Sequence, residues 1–148
     1  MNYTQIMRFY FLVCFCLSAN ASQMLPVPKE FIKALHVVES GSRIGPIKGD
    51  YNKKTGKYLA LGPLQIHRAN FQDAQQYNPV LLKYKYEDVA RLDVSILVLQ
   101  SWLNRYAKKE IKSNNFEVMA RKWNGGTRGE RLESTLIYWE KVKKHGKF

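Results

Sequence analysis

The chain has 148 residues, with 24 Lys and Arg against 12 Asp and Glu, so its formal net charge is +12 at pH 7. This length suits one ordinary hydrophobic core and argues against several independent domains. A strongly positive field attracts polyanions, either nucleic acid or an anionic cell-envelope polymer, and charge alone does not choose between them.

The first 21 residues have the pattern of a secretory signal peptide. Arg8 precedes the apolar run FYFLVCFCL, and the small-residue site Ala19-Asn20-Ala21 follows it. The run is too short to span a bilayer, which needs about 20 residues. We therefore predict cleavage after Ala21, a secreted or periplasmic location, and no stable membrane insertion afterwards.

Both cysteines of the chain, Cys14 and Cys16, lie in this segment. Residues 22–148 would then form a single domain without disulfides, although small secreted domains often use them. We expect this domain to be a monomer and to need no cofactor.

The first predicted helix follows Pro28, which fits the first turn of a helix, and it ends near Gly41. Its apolar stripe consists of Phe31, Ile32, Leu35 and Val38. Residues 45–60 contain glycines and a Lys-Lys-Thr-Gly turn between short segments that carry tyrosines. This pattern predicts a small β-hairpin with an exposed tip.

The rest of the chain is predicted to be mostly helical. Residues 64–77, LQIHRANFQDAQQY, indicate a helix that Asn78-Pro79 interrupts. The longest helix is predicted over about residues 86–107, with an apolar stripe of Val89, Leu92, Ile96, Leu99, Leu103 and Tyr106. Shorter helices are predicted over about residues 116–123 and 132–144. Five helices and one hairpin indicate an α+β domain that is predominantly α-helical.

Glu39 is a carboxylate at a position where the helical pattern asks for an apolar residue. It lies four residues after Leu35 and seven after Ile32, so it shares or borders their buried face. It also occupies the last helical turn, where the macrodipole is negative. Burial and this dipole both raise the pKa of a carboxyl group, which could then donate a proton near neutral pH. A surface glutamate at a frayed helix end is the alternative.

Four short motifs occur in a fixed order along the chain. They are Glu39-Ser40, Gly62-Pro63-Leu64-Gln65-Ile66, Trp123-Asn124-Gly125-Gly126 and the run STLIYWEKV at residues 134–142. Together they resemble the lysozyme-like superfamily, especially soluble lytic transglycosylases and goose-type lysozymes. The resemblance covers roughly residues 28–144, and it implies a lysozyme-like fold. Pro63, Trp123 and Ser134 depart from the residues that are common at these positions.

The resemblance implies a role for several individual residues. Glu39 resembles the catalytic acid of the family, and Ser40 resembles the residue that steadies this acid or the sugar. Gln65 and Asn124 match positions that line the groove and bind saccharide or water. Tyr138 resembles the tyrosine that lies near the catalytic carboxylate.

Alternative roles remain open for the polar residues of these turns. Gln65 is alternatively a helix-capping amide, and Asn124 is alternatively a turn former before two glycines. His67 follows the Gln65 turn and is predicted to line the cleft, whereas His36 is predicted to lie at the polar edge of its helix. Without a close histidine pair, and with no cysteine after residue 21, the sequence predicts no metal site.

A glycosidase normally needs a second carboxylate, as nucleophile or as base. Asp50, at the start of the hairpin, is the best candidate, although it could equally cap a turn. Asp73 is the other candidate and is predicted to be solvated. A transglycosylase, which the order of the motifs most resembles, needs no second carboxylate, because the 6-hydroxyl of the sugar closes on the anomeric carbon. Hydrolysis and transglycosylation both fit the sequence.

The predicted function is an exported enzyme that cleaves β-1,4 glycosidic bonds by general acid/base catalysis through Glu39. The expected substrate is peptidoglycan, with chitin-like polysaccharide as a second substrate, and the basic surface suits an anionic cell-envelope polymer. The alternative is a non-catalytic basic module that binds cell-wall polymer or nucleic acid through lysines and aromatic residues. Export argues against nucleic acid, and binding alone does not explain the surroundings of Glu39.

Overall fold

The computed structural model describes residues 23–148. The predicted signal peptide and both cysteines lie outside the described residues, so cleavage and export stay predictions. Six α-helices are found in the described part: α1 Lys29–Ser40, α2 Arg68–Tyr77, α3 Leu92–Tyr106, α4 Lys108–Ser113, α5 Phe116–Gly125 and α6 Leu136–His145. The strands β1 Lys48–Asn52, β2 Lys57–Leu61 and β3 Ile66–His67 form one antiparallel sheet in the order β1-β2-β3. The predicted class, α+β and predominantly helical, is confirmed.

The hydrophobic core is built around α3. Its most buried apolar side chains are Val94, Val98, Leu99, Trp102 and Leu103. Helix α2 packs against α3, while α6 packs against both α1 and α5. The contact between α1 and α6 matters most for the site, because it joins two elements from opposite ends of the described chain. None of the helices in residues 23–148 is long and apolar enough to cross a membrane.

The helix predicted over residues 86–107 is interrupted at Arg91. A 3₁₀ turn covers Tyr86–Ala90, Arg91 is extended with ψ of 134°, and α3 begins at the next residue. Leu92 and Ile96 were predicted to face the core, but both are only half-buried. The predicted start of this helix is therefore wrong, whereas its predicted end is close to the observed one. The other four residues of its predicted apolar stripe are buried or pack against the core, and Ile96 also packs against it.

Part of the inner face of α3 was not predicted because it contains polar residues. Ser95, Ser101 and Asn104 are buried. The hydroxyl of Ser95 donates to the carbonyl of Val89 at 2.6 Å, and the amide of Asn104 donates to the carbonyl of Leu25 at 2.9 Å. Because these groups are hydrogen-bonded, they can be buried at little cost, and apolar periodicity does not detect them.

The predicted hairpin is present, and a third strand extends it. Lys48 pairs with Leu61 in the β1–β2 ladder, and Ile66 in β3 pairs with the same Leu61. Since residues 66–67 pair with β2, α2 begins at Arg68 instead of near residue 64. Gly62 makes the β2–β3 turn with φ of 83°, and a Cβ there would collide with the carbonyl of Val89.

The C-terminal region differs from the prediction in smaller ways. Helix α4 was not predicted, and α5 continues to Gly125. The helix predicted over residues 132–144 begins only at Leu136, after the 3₁₀ turns Gly129–Arg131 and Glu133–Thr135. It nevertheless carries Tyr138 and Trp139 as expected.

Candidate active site

A polar cleft of about 490 Å³ is lined by residues of α1, α2, α5 and the sheet. The lining residues are Glu39, Asp50, Ala60, Gln65, His67, Asn70, Trp123 and Asn124. Five of the predicted site residues are therefore brought together from four separate parts of the chain. Ser40 and Tyr138 are not among the lining residues.

Glu39 lies in the last turn of α1, just before the helix ends. Gly41 adopts the left-handed conformation with φ of 62°, and its N–H donates to the carbonyl of Val37 at 2.8 Å. This helix cap is typical of glycine, which carries no Cβ penalty there. The carboxylate consequently projects from a regular helix, and the chain turns away towards the sheet immediately afterwards.

Burial dominates the chemistry of Glu39. It raises the pKa of this carboxyl from the ordinary 4.5 to about 7, while hydrogen bonds from Tyr138 and Trp123 act in the opposite direction. The hydroxyl of Tyr138 donates to Oε1 of Glu39 at 2.6 Å. At neutral pH both the protonated and the ionised form of Glu39 are thus well populated.

Tyr138 supports Glu39 from α6. Burial and the neighbouring carboxylate raise the pKa of its phenol well above the usual range, so it remains a hydrogen-bond donor at any physiological pH. The two residues are 99 positions apart, and the packing of α6 against α1 brings them together. Tyr138 therefore contacts the carboxylate without lining the cleft.

Ser40 faces away from the cleft. It is buried, and its hydroxyl lies 3.3 Å from the carbonyl of His36 and 3.2 Å from that of Arg43. These contacts hold the loop after α1 against the end of the helix. The prediction that Ser40 binds substrate is not supported by this geometry, because its one polar group is occupied by backbone.

Asp50 lies in β1 with its carboxylate half exposed towards the cleft. Oδ2 of Asp50 is 3.4 Å from Nε2 of His67 in β3. Asp50 has φ of 51° and Gln65 has φ of 48°, both in the left-handed region that non-glycine residues rarely adopt. Strained backbone of this kind tends to cluster at functional sites. Two of the four non-glycine residues with positive φ in residues 23–148 thus line this cleft, and Ser42 and Asn114 do not.

Gln65 connects the segment before β1 with the turn between β2 and β3. Its amide nitrogen donates to the carbonyl of Ile47 at 3.2 Å and to that of Gly62 at 2.9 Å. A Cβ at Gly49 would collide with Oε1 of Gln65, so the absence of a side chain at residue 49 makes room for this amide. Gln65 thus fixes the floor of the cleft and caps no helix.

Asn124 and two further residues complete the lining. Asn124 is exposed in the last turn of α5. Trp123, beside it, is buried and packs edge-on against Trp102 with ring centroids 5.7 Å apart. Asn70, three residues after His67, faces the cleft from α2. Neither Trp123 nor Asn70 was predicted as a site residue, although the position of Trp123 next to Asn124 was a usable signal.

Within residues 23–148, no three acidic, histidine or cysteine side chains come together in a group that could hold a metal ion. Nε2 of His36 is instead 2.8 Å from the carbonyl of Arg43. The polar groups available to a ligand in this cleft are therefore carboxyl, amide, imidazole and indole groups.

No protein-family model matches the chain. Invertebrate-type lysozyme 6 of Caenorhabditis elegans is 41% identical over 54 residues, which are 35% of this chain and 39% of that protein. The aligned part thus spans well under half the length of this relative.

Solved structures of lysozymes share the fold over most of both chains. The crystal structure of Aeromonas hydrophila PliI in complex with Meretrix lusoria lysozyme contains a chain 27% identical, with a TM-score of 0.63 and coverage of 80% of this chain and 89% of that one. Inhibitor-bound lysozyme from Meretrix lusoria is 26% identical, with a TM-score of 0.61 and coverage of 80% and 89%.

Tapes japonica lysozyme is 24% identical, with a TM-score of 0.62 and coverage of 79% and 89%, and it supports the fold alone. The lysozyme-like fold that the motifs predicted is confirmed.

Proposed function

We propose that this chain is an exported enzyme of lysozyme type that hydrolyses β-1,4 glycosidic bonds of peptidoglycan. The observation that carries the proposal is Glu39, a buried carboxyl with a pKa of about 7 that opens into a polar cleft. The similarity to lysozymes, including an invertebrate-type lysozyme, supports the same activity. Export rests on the predicted signal peptide.

Glu39 acts as the general acid in this proposal. Cleavage of a glycosidic bond requires a proton on the leaving oxygen, and an ordinary carboxyl with a pKa near 4.5 has lost its proton at neutral pH. Burial keeps a large fraction of Glu39 protonated there. The bond from Tyr138 restrains the carboxyl and favours the ionised form that remains after proton transfer.

Asp50 supplies the second carboxylate, as nucleophile or as the base that activates water. It lines the same cleft as Glu39, and within residues 23–148 its carboxylate has no hydrogen bond to backbone that would mark it as a turn cap. His67 is the basic residue beside it. A second carboxylate in the cleft favours hydrolysis, because transglycosylation by the sugar's own hydroxyl requires only Glu39.

The remaining lining residues bind the polysaccharide. Asn70 and Asn124 offer amide groups to sugar hydroxyls, and Trp123 closes the cleft beside Glu39. Amides that can both donate and accept suit the alternating hydroxyl groups of a sugar. A non-catalytic binding module would use the same amides, but it would have no need for a buried carboxyl with a raised pKa.

The Glu39→Gln variant tests the proposal. Glutamine is nearly isosteric and removes the transferable proton, so the rate of peptidoglycan cleavage should fall by about 10²–10⁴-fold. The matched control is Glu30→Gln on the same helix, since Glu30 is exposed and contacts only Lys33 at 3.4 Å. Cleavage at the wild-type rate by Glu39→Gln would refute the role of Glu39.

A further inference from the structure

A second hollow adjoins the active-site cleft at Ala60, and no step of the proposed reaction uses it. Its volume is about 300 Å³. It is lined by Lys48, Lys57, Tyr58, Ala60, Leu61 and Tyr86. Because Ala60 lines both spaces, the hollow and the cleft are neighbours at strand β2.

The positive charge of the hollow is not balanced by the protein. Lys48 and Lys57 are exposed, and neither ammonium group makes an ion pair or hydrogen bond with any part of the described chain. Asp50 of the hairpin and Glu87 of the turn beside the hollow already have basic neighbours, and the carboxylate of Asp88 in that turn accepts from the N–H of Lys85 at 2.7 Å. Asp50 lies 3.4 Å from His67, and Glu87 lies 3.6 Å from Arg68. Two lysines are thus available to an anionic ligand.

Tyrosine rings border the same space. Tyr58 is 53% exposed, and its ring is held against that of Tyr51 with centroids 5.0 Å apart. Tyr86 is fixed by its hydroxyl, which donates to the carbonyl of Ile66 at 2.6 Å. The guanidinium of Arg68 lies over the ring of Tyr86, 4.1 Å from the ring centroid. An exposed, restrained ring beside ammonium groups suits a ligand that has both an apolar face and a negative charge.

We propose that this hollow is a subsite for an anionic substituent, a carboxylate or a phosphate, of the polysaccharide that occupies the cleft. This proposal rests on the proposed function, which puts that polysaccharide in the cleft. Lys48 and Lys57 bind the anion, and Tyr58 packs against the adjoining part of the ligand. A neutral β-1,4 glycan offers no negative charge to the two lysines, so the subsite makes the protein prefer acidic glycans.

Equilibrium binding measured in the Glu39→Gln background tests the subsite without consuming the ligand. The probes are soluble peptidoglycan fragments, which carry carboxylates, and a neutral chitin oligosaccharide of similar length. Lys48→Gln/Lys57→Gln should weaken binding of the acidic fragments about fivefold more than binding of the neutral one. Lys48→Arg/Lys57→Arg keeps the charge and should keep the preference. A third probe identifies which anion is bound. It compares binding of wall fragments that retain their phosphate polymer with binding of fragments from which this polymer has been removed.

The matched control is Lys53→Gln/Lys54→Gln, which removes the same charge from the tip of the same hairpin but does not touch the hollow. If both double variants lost the preference for acidic fragments equally, the subsite would be overturned, because a diffuse electrostatic field would then explain that preference. A preference unchanged in Lys48→Gln/Lys57→Gln would overturn it as well. Since binding is measured, failure of the wild-type protein to cleave glycan would contradict the proposed function and leave the subsite test valid.

Discussion

At the scale of single residues, Glu39 is subject to two opposing influences. Burial favours its neutral form, and hydrogen bonds from Tyr138 and Trp123 favour the ionised form. Burial is the larger effect, so the pKa rises to about 7 and stays within the range of physiological pH. A carboxyl with such a pKa can give up its proton and recover it in each turnover.

This raised pKa predicts a pH-dependent stability that Glu39→Gln should abolish. Between pH 4.5 and about 7 the folded protein binds more protons at Glu39 than the unfolded chain does, so stability falls as pH rises through this window. Above this pH window, the contribution of Glu39 to the fall in stability is complete. Glu39→Gln should therefore be more stable than wild type by at most about 3 kcal/mol near pH 8 and by little near pH 4.

Denaturant unfolding of both proteins at the two pH values measures this difference. Glu30→Gln provides the baseline for loss of an exposed carboxyl on the same helix. A free-energy difference between Glu39→Gln and wild type that is the same at both pH values would show that Glu39 has no raised pKa.

Asp50→Asn separates hydrolysis from transglycosylation at the same scale. If Asp50 is the nucleophile or base, this variant should lose about as much cleavage as Glu39→Gln, on the order of 10²–10⁴-fold. Asp93→Asn is a control, because Asp93 is exposed and pairs with Arg91 at 2.7 Å outside the cleft. A loss of less than about tenfold, or roughly 1.4 kcal/mol of barrier, would mean that Asp50 only shapes the hairpin.

At the scale of elements, the turn between β2 and β3 attaches the sheet to the helical part. Gly62 packs against the carbonyl of Val89 so closely that no Cβ fits, and its N–H donates to the carbonyl of Ile47 at 2.8 Å. This turn sets the position of Gln65 and, through β3, that of His67. The floor of the cleft therefore depends on Gly62 as well as on Gly49.

Gly62→Ala should destabilise the protein by at least about 3 kcal/mol, because it adds a backbone collision to the cost of a left-handed alanine. Gly41→Ala is the matched control: φ is 62° there and no atom lies within 4 Å of the added Cβ. Gly41→Ala should lower the free energy of unfolding by only about 1–2 kcal/mol. Thermal or denaturant unfolding checks both, and equal losses would contradict the close packing at Gly62.

Elements with strong local signals could be predicted from the sequence. The apolar stripe and Gly41 defined α1, and the Lys-Lys-Thr-Gly turn defined the hairpin. Strand β3 has only two residues, and its conformation depends on pairing with β2, which no local pattern reveals. The polar part of the inner face of α3 was missed because apolar periodicity does not detect hydrogen-bonded side chains, such as Ser101 bonded to Asn78 and Asn104 bonded to Leu25.

The candidate site was predictable where a residue's environment followed from its own helix. Glu39 interrupts an apolar stripe, so its burial was one of two interpretations of the pattern, the other being an exposed glutamate at a frayed helix end. The contact of Glu39 with Tyr138 requires α1 and α6 to pack together, and only the resemblance to a known family suggested it. Asn70 gave no signal, because one asparagine in a polar helix has no distinguishing pattern.

At the scale of the whole molecule, the basic charge and the cleft fit one substrate class. The net charge of +12 favours a polyanion, and the cleft contains the carboxyl and amide groups that suit a polysaccharide. Peptidoglycan carries carboxylates on a β-1,4 glycan and satisfies both requirements. Lysines line the hollow beside this cleft and add positive charge next to it.

Mass spectrometry of the soluble fragments released from purified peptidoglycan tests the central claim most directly. Hydrolysis adds water across each cleaved bond, so the fragments should be about 18 Da heavier than the anhydro products of transglycosylation. We predict such fragments from the wild-type protein and from Glu30→Gln, and almost none from Glu39→Gln. Fragments that all carry anhydro ends, or equal release by Glu39→Gln, would contradict hydrolysis by Glu39 and Asp50.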